Sequence, residues 1–240
     1  MSILISLVIT GMVKIFQIGY FNHATYVYNE VTYTTVREFV IRGDTLMKNQ
    51  KTLKIILTGV MAALSFIAYE FFRIPFGNTG TSFHLGNTFA ALGGLLLGPI
   101  YGGLGGSIGL SLADFIAGDF VYVPTTFLLK FIIGSVTGLL SHKLFKIKTL
   151  NGASNRGKLL VATIVSAGVG LLQNVITDPC LGYVRDLVLG YETSVAKIGM
   201  KIAGGITLAN SLVSLIIVVI FYLAIRPALK KSGLFPDDAS

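Results

Sequence analysis

The 240-residue chain contains no tryptophan and one cysteine, Cys180. A lone cysteine excludes any internal disulfide. Without tryptophan, an interfacial aromatic belt falls to tyrosine and phenylalanine. Charge is scarce as well: 12% of residues are charged and 53% are hydrophobic, whereas soluble domains carry about 25% charged residues. That deficit excludes an ordinary soluble domain. Nucleotide and metal signatures are also missing. There is no GxxxxGK(S/T), so the chain does not hydrolyse ATP through a P-loop, and there is no GxGxxG or HExxH. No Ser/His/Asp arrangement is visible. His84 and His142 fall at opposite membrane faces, so no metal site is supported. No catalytic residue, metal ligand or cofactor is assigned.

What is present is apolar length. Segments approaching the roughly 20 residues a helix needs to cross a bilayer predict an all-α membrane protein with six transmembrane helices. They run over 53–72, 85–97, 101–116, 123–140, 159–177 and 202–225. The second and third are short and glycine-rich. The net charge of +8 sits in the connections between spans, which the positive-inside rule explains without nucleic acid. With the start of the first span inside, the inner segments hold eleven cations: Lys48, Lys51, Lys54, Lys143, Lys146, Lys148, Arg156, Lys158, Arg226, Lys230 and Lys231. The outer segments hold four: Arg73, Arg185, Lys197 and Lys201. Both termini are therefore expected in the cytoplasm. The outer loops are then 73–84, 118–122 and 178–200. The last, with its amphipathic GYVRDLVLGY, predicts a short surface helix or lid.

Residues 1–46 read differently. MSILISLVITGMV is shorter than a span, and no small-residue cleavage site follows closely. Residues 22–46 hold no sustained period. Met47 opens MKNQKTLKIILTG, a natural cytoplasmic lead into the first span. Arg42-Gly43-Asp44 can be encoded as AGAGGTGAT, which resembles a ribosome-binding site. Met47 is therefore the expected start, with 1–46 a non-native or disordered extension. A genuine extension and a seventh span are the alternatives, and the N-terminal mass of the native protein decides among them. The membrane domain is expected over 47–231, with 232–240 a cytoplasmic tail.

The run 81–138 carries the information about function. It is almost wholly apolar, yet it holds His84, Asn87, Asp114 and Lys130. Ionisable residues within a span are costly and mark functional sites. The tight 118–122 connection makes spans three and four antiparallel neighbours. Asp114 then lies about one turn deep and Lys130 about two. A structural Asp114–Lys130 pair is expected, because buried charges need partners. Direct ligand contact is the alternative, and the two are compatible. Small-xxx-small spacings abound: Gly59 and Ala63, Gly102 and Gly106, Gly105 and Gly109, Gly134 and Gly138. They let helix backbones approach closely. In spans three and four this reads as packing within the chain; in span one, docking to another membrane protein stands beside it. A polar loop over 78–87, then Gln173, Asn174 and Asp178, and finally Asn210, gather polar groups at the outer ends. Tyr122 and Tyr183 read as interfacial anchors or as platforms for a planar ligand.

The order HLGN (84–87), LLLGPIYG (95–102), GGLGGSIGLSLADFIAG (102–118) and YVPTTFLLKFIIGSVTG (122–138) resembles the substrate-binding S components of energy-coupling factor (ECF) transporters. It is most similar to the riboflavin-type subgroup, which includes carriers of hydroxymethylpyrimidine and pyridoxine. The resemblance covers about 51–226 and is strongest over 82–138. It implies six helices in a bacterial plasma membrane, a vitamin site facing outside, and no catalysis. It also implies partners: a transmembrane coupling protein and two cytoplasmic ATPases that drive uptake of a vitamin-like small molecule. By position, the pocket would draw on His84, Asn87, Tyr122, Lys130, Asn174 and Asn210, while Gly59 and Ala63 would meet the coupling protein. Asn87 departs from the subgroup, which commonly has Asp there. The competing readings are a stand-alone secondary transporter, and an intramembrane enzyme or structural scaffold. Such transporters often show inverted repeats, and none is found between 51–140 and 158–226.

Overall fold

The computed structural model describes residues 49–76, 81–232 and 234–235. The expectations for 1–46, for Met47, for much of the first polar loop and for most of the tail lie outside them. Helix α1 (Gln50–Phe71) starts where the Asn49 side chain accepts from the amides of Lys51, at 3.0 Å, and Thr52, at 3.3 Å. This is the N-cap geometry that asparagine favours. A two-stranded antiparallel ribbon follows, β1 (Ile74–Pro75) against β2 (Ser82–Phe83). Then come α2 (Gly86–Leu97), α3 (Pro99–Ile116) and α4 (Val123–Gly138), which runs on through a π-helical turn, Leu139–Leu144. Two short 3-10 turns lead into α5 (Arg156–Val188) and α6 (Thr193–Lys231). Gly98 divides α2 from α3 at φ +84. Glycine takes that conformation without a Cβ penalty, and Pro99 then opens the next helix.

Among the described residues, four helices are long and apolar enough to cross a membrane: Gln50–Phe71, Val123–Leu144, Ala153–Val188 and Thr193–Lys231. Helix α2, with 12 residues, spans only about 18 Å, short of the roughly 30 Å hydrocarbon core. Its surroundings explain why that is tolerated. It packs on all five of the other long helices among the described residues, and every residue except Phe89 is buried. Backbone that ends within the membrane is stable where protein covers it.

Glycines set the spacing around α2. On α3, Gly102 and Gly106 lie against Gly93, Gly94 and Ala90 of α2, Gly105 and Gly109 lie against α1, and Gly103 lies against α4. On α4, Gly134 sits on Gly102 and Gly103, and Gly138 on Gly98 and Pro99. The motifs on α3 and α4 are thus used within the chain. Gly59 is different: a Cβ there would meet nothing within 4 Å, and Gly59 and Ala63 face outward.

The long outer connection differs from the expected surface helix or lid. Residues 178–188 continue α5, α6 begins at Thr193, and only 189–192 link them. Pro179 lies inside α5. Thr207 of α6 donates to the Asp178 carboxylate at 2.7 Å beside it. Gly190, at φ +84, makes the turn. The amphipathic pattern of 182–191 is thus the end of a long helix, one face of which packs on its neighbour.

Candidate functional site

The ribbon is fastened to α6 by one side chain. Asn210, 3% exposed, accepts from the His84 amide at 3.1 Å and donates to the Ser82 carbonyl at 3.0 Å. Its amide completes the edge of β2 as a neighbouring strand would. The His84 ring turns the other way: Nδ1 accepts from the Gly86 amide at 3.2 Å and caps α2. In the neutral ring this bond leaves the proton on Nε2. The ring leans on Tyr69 of α1, with centroids 4.8 Å apart, and Tyr69 Oη donates to Asp114 Oδ1 at 3.2 Å. Arg73 lies over the Tyr69 ring at 5.0 Å and pairs with Asp119 at 3.6 Å. A continuous polar path therefore runs from α6 through the ribbon and α1 to α3.

Asp114 and Lys130 do not meet as a direct ion pair. Among the described residues the ion pairs are Arg73–Asp119 and Arg185–Asp186. Depth gives the reason. Asp114 is two residues from the end of α3, about 3 Å in, whereas Lys130 is seven residues into α4, about 10 Å in. Tyr69 partners the carboxylate instead. Lys130 stays within electrostatic reach of both Asp114 and His84. Its ammonium makes no hydrogen bond or ion pair among the described residues.

Below the ribbon lies a layer of buried polar atoms without partners among the described residues. Asn87 is 1% exposed and its Oδ1 is unbonded; Asn174 is fully buried and neither its Oδ1 nor its Nδ2 is bonded among the described residues. Packing register puts these groups at one level. Ser211 bonds the Leu171 carbonyl at 3.1 Å, and with the Thr207–Asp178 bond this sets Asn174 level with Asn210. Gly170 rests on Ile133 and Thr137, so Asn174, one turn further along, is level with Lys130. His84, Asn87, Lys130, Asn174 and Asn210 thus share one end of the bundle. Tyr122 stands apart, at the rim, with the Arg185 guanidinium 3.9 Å from its ring centroid. Tyr69 is the residue the sequence reading missed. At the end of an apolar helix it reads as a belt tyrosine, and its only signal is its spacing from Arg73.

Each buried, unbonded amide group costs about 1–3 kcal/mol, so such groups mark strain or a binding role. This layer offers both donors and acceptors to a polar ligand. Nothing in it is arranged as a nucleophile and base.

We expect Asn210→Ala to release the ribbon. Hydrogen exchange at the His84 amide should quicken at least tenfold, and ligand affinity should fall with it. An unchanged exchange rate would show that β1 alone holds β2.

Among the described residues the bundle carries a layer of unbonded buried amides at one end. A sequence model described as ECF-type riboflavin transporter, S component, matches residues 49–227, and the chain belongs to that family. A UPF0397 protein of Lactiplantibacillus plantarum is 29% identical over 138 residues, 58% of this chain and 70% of the relative. The solved structure of ThiT from Listeria monocytogenes superposes with a TM-score of 0.55 at 19% identity, covering 75% of this chain and 98% of that one. The expected resemblance and the helical membrane fold both hold, and the family is one of transporter components, not of enzymes.

Proposed function

We propose that this chain is the membrane-embedded, high-affinity substrate-binding subunit of an ECF-type importer. It captures a vitamin or vitamin precursor outside the cell for ATP-driven uptake. The observation that carries this reading is the layer of Asn87 and Asn174, with side-chain atoms unbonded among the described residues, beside Lys130, which makes no hydrogen bond or ion pair among them, under a ribbon that closes one end of the bundle. A ligand entering there gains hydrogen bonds with little competition from protein partners. With neutral Asn87 and cationic Lys130, the site favours a ligand rich in acceptors over a cationic one. The ribbon end faces outside and the basic end faces the cytoplasm of a bacterial cell, following the positive-inside rule.

In this reading the chain works with a transmembrane coupling protein and two cytoplasmic ATPases. The outward-facing Gly59 and Ala63 of α1 are the coupling contact. Both positions are exposed, and the lack of bulk there, no side chain on Gly59 and a methyl on Ala63, supports close helix approach.

Native mass spectrometry and calorimetry of the purified protein test the binding role. The panel is riboflavin, thiamine, hydroxymethylpyrimidine, pyridoxine, pantothenate, folate and queuosine precursors. One compound should bind in the nanomolar range, and Lys130→Ala should weaken it at least tenfold. Absence of any nanomolar ligand, with no ATPase recovered on affinity purification, overturns the proposal. Uptake that survives deletion of every candidate ATPase points instead to a secondary transporter.

A further inference from the structure

Outward of the polar layer, the ends of α4 and α5 meet through Tyr122 and Arg185. The Arg185 guanidinium lies 3.9 Å from the Tyr122 ring centroid. Tyr122, the residue before α4, stands about two turns outward of Lys130. Arg185 stands about three turns outward of Asn174, and eleven residues at about 100° each return it to the same face of α5. Lys130 and Asn174 are level with each other, so the stack sits at the mouth of the seam that leads down to them. Arg185 is aimed from its own side. Its Nε and Nη2 both donate to Asp186 Oδ1, at 3.1 and 2.9 Å. Asp186 in turn lies against α6, where a Cβ on Gly199 would stand 3.6 Å from its carboxylate. The arm is thus braced on the α5–α6 hairpin and reaches α4 through the ring face of Tyr122.

The ribbon is fastened differently. Freeing it breaks both bonds of Asn210, which is 3% exposed, and draws His84 off the start of α2. Parting Arg185 from Tyr122 leaves both bonds to Asp186 intact, and the side chains of Arg185 and Asp186 are already partly wet, at 17% and 24% exposed. Magnitudes decide which gives first. A cation–π stack shifts an equilibrium by roughly 2- to 30-fold. Leaving two buried hydrogen bonds unmade shifts it by roughly 30-fold or more.

We infer that the Tyr122–Arg185 stack is the outer door of the polar layer: solute from outside passes between the ends of α4 and α5 while the ribbon stays closed. The inference rests on the functional reading in taking the layer as the destination. Its test uses no ligand, so a failed ligand panel and a failed door are told apart.

Asn174→Cys in a Cys180→Ser background places a thiol in the layer of the full-length protein, held in right-side-out membrane vesicles. Asn87→Cys serves the same purpose should Asn174→Cys fail to fold. An anionic, membrane-impermeant methanethiosulfonate reads access from outside, and hydrogen exchange at the His84 amide reads the ribbon. Adding Arg185→Ala should quicken labelling at least fivefold while His84 exchange is unchanged. Arg185→Lys, which keeps a cation for the ring, should label within twofold of the arginine parent. Unchanged labelling with Arg185→Ala overturns the inference. So does labelling that quickens only together with His84 exchange, because the ribbon is then the door. Arg185→Lys labelling as fast as Arg185→Ala overturns the cation–π part. Equal quickening at Val218→Cys, a fully buried position further down α6, reports general loosening and also overturns it.

Discussion

Asn174→Leu should lower ligand affinity by tenfold to about a hundredfold, from loss of a hydrogen-bonding group worth about 1–3 kcal/mol. The ligand-free protein should be as stable as wild type, or more so. The sign of the second effect is the informative part. Neither amide atom of Asn174 is bonded by a described residue, and the side chain is fully buried. Leucine has nearly the same shape and removes a desolvated polar group without breaking a bond within the protein. Removing a structural polar group would do the reverse and lower stability first. Calorimetry with the identified ligand and thermal melting without it separate the two. A melting temperature that drops while affinity holds would assign Asn174 to the scaffold and remove the central support for the binding layer. Asn210→Ala is the contrasting case, because both ends of that amide are already engaged and stability should fall with affinity.

The second large effect concerns two glycines that look alike in the sequence. Gly134→Ala should lower the melting temperature by roughly 2–12 °C, since overpacking a tight contact costs about 1–3 kcal/mol and each kcal/mol moves a domain of this size by about 2–4 °C. A Cβ at Gly134 would stand 2.7 Å from the Gly102 carbonyl oxygen and from Gly103 backbone atoms. Backbone on both sides cannot give way as a flexible side chain can. Gly59→Ala should leave the melting temperature unchanged or slightly raised, because alanine is favoured over glycine by about 1 kcal/mol in a helix interior and the position is open. If Gly59 meets the coupling protein, Gly59→Leu should depress uptake in cells while ligand binding by the purified protein stays intact. Equal melting temperatures for Gly134→Ala and wild type would mean that α3 and α4 separate readily, against the packing described above.

The candidate site was partly legible. His84, Asn87, Asn174 and Asn210 stand out because polar groups are conspicuous in an apolar chain. Their partners do not stand out. The sequence offered Lys130 as the mate of Asp114, because both are charged and their helices are adjacent. The structure gives that place to Tyr69, because helical rise separates the two charges in depth. Similarly, 178–200 reads as an external loop by hydropathy, since charges and Pro179 interrupt it. In the fold, the same residues extend α5 and α6, because packing between the two helices and the Thr207–Asp178 bond hold the chain helical beyond the apolar span.

The sequence by itself determined that this is a helical membrane protein, roughly where its apolar segments run, and which family it belongs to. Low charge, span-length apolar runs and the 82–138 motif suffice for that. Which face of each helix turns inward was decided only by the tertiary structure. In lipid both the core-facing and the lipid-facing sides are apolar, so hydrophobic periodicity is weak and cannot separate them. The glycines of α3 and α4 are filled by neighbouring backbone while Gly59 of α1 is left open. Likewise α2, the shortest of the six long helices among the described residues, becomes the centre that the other five surround. Those assignments depend on shape complementarity between helices, which no local stretch of sequence encodes.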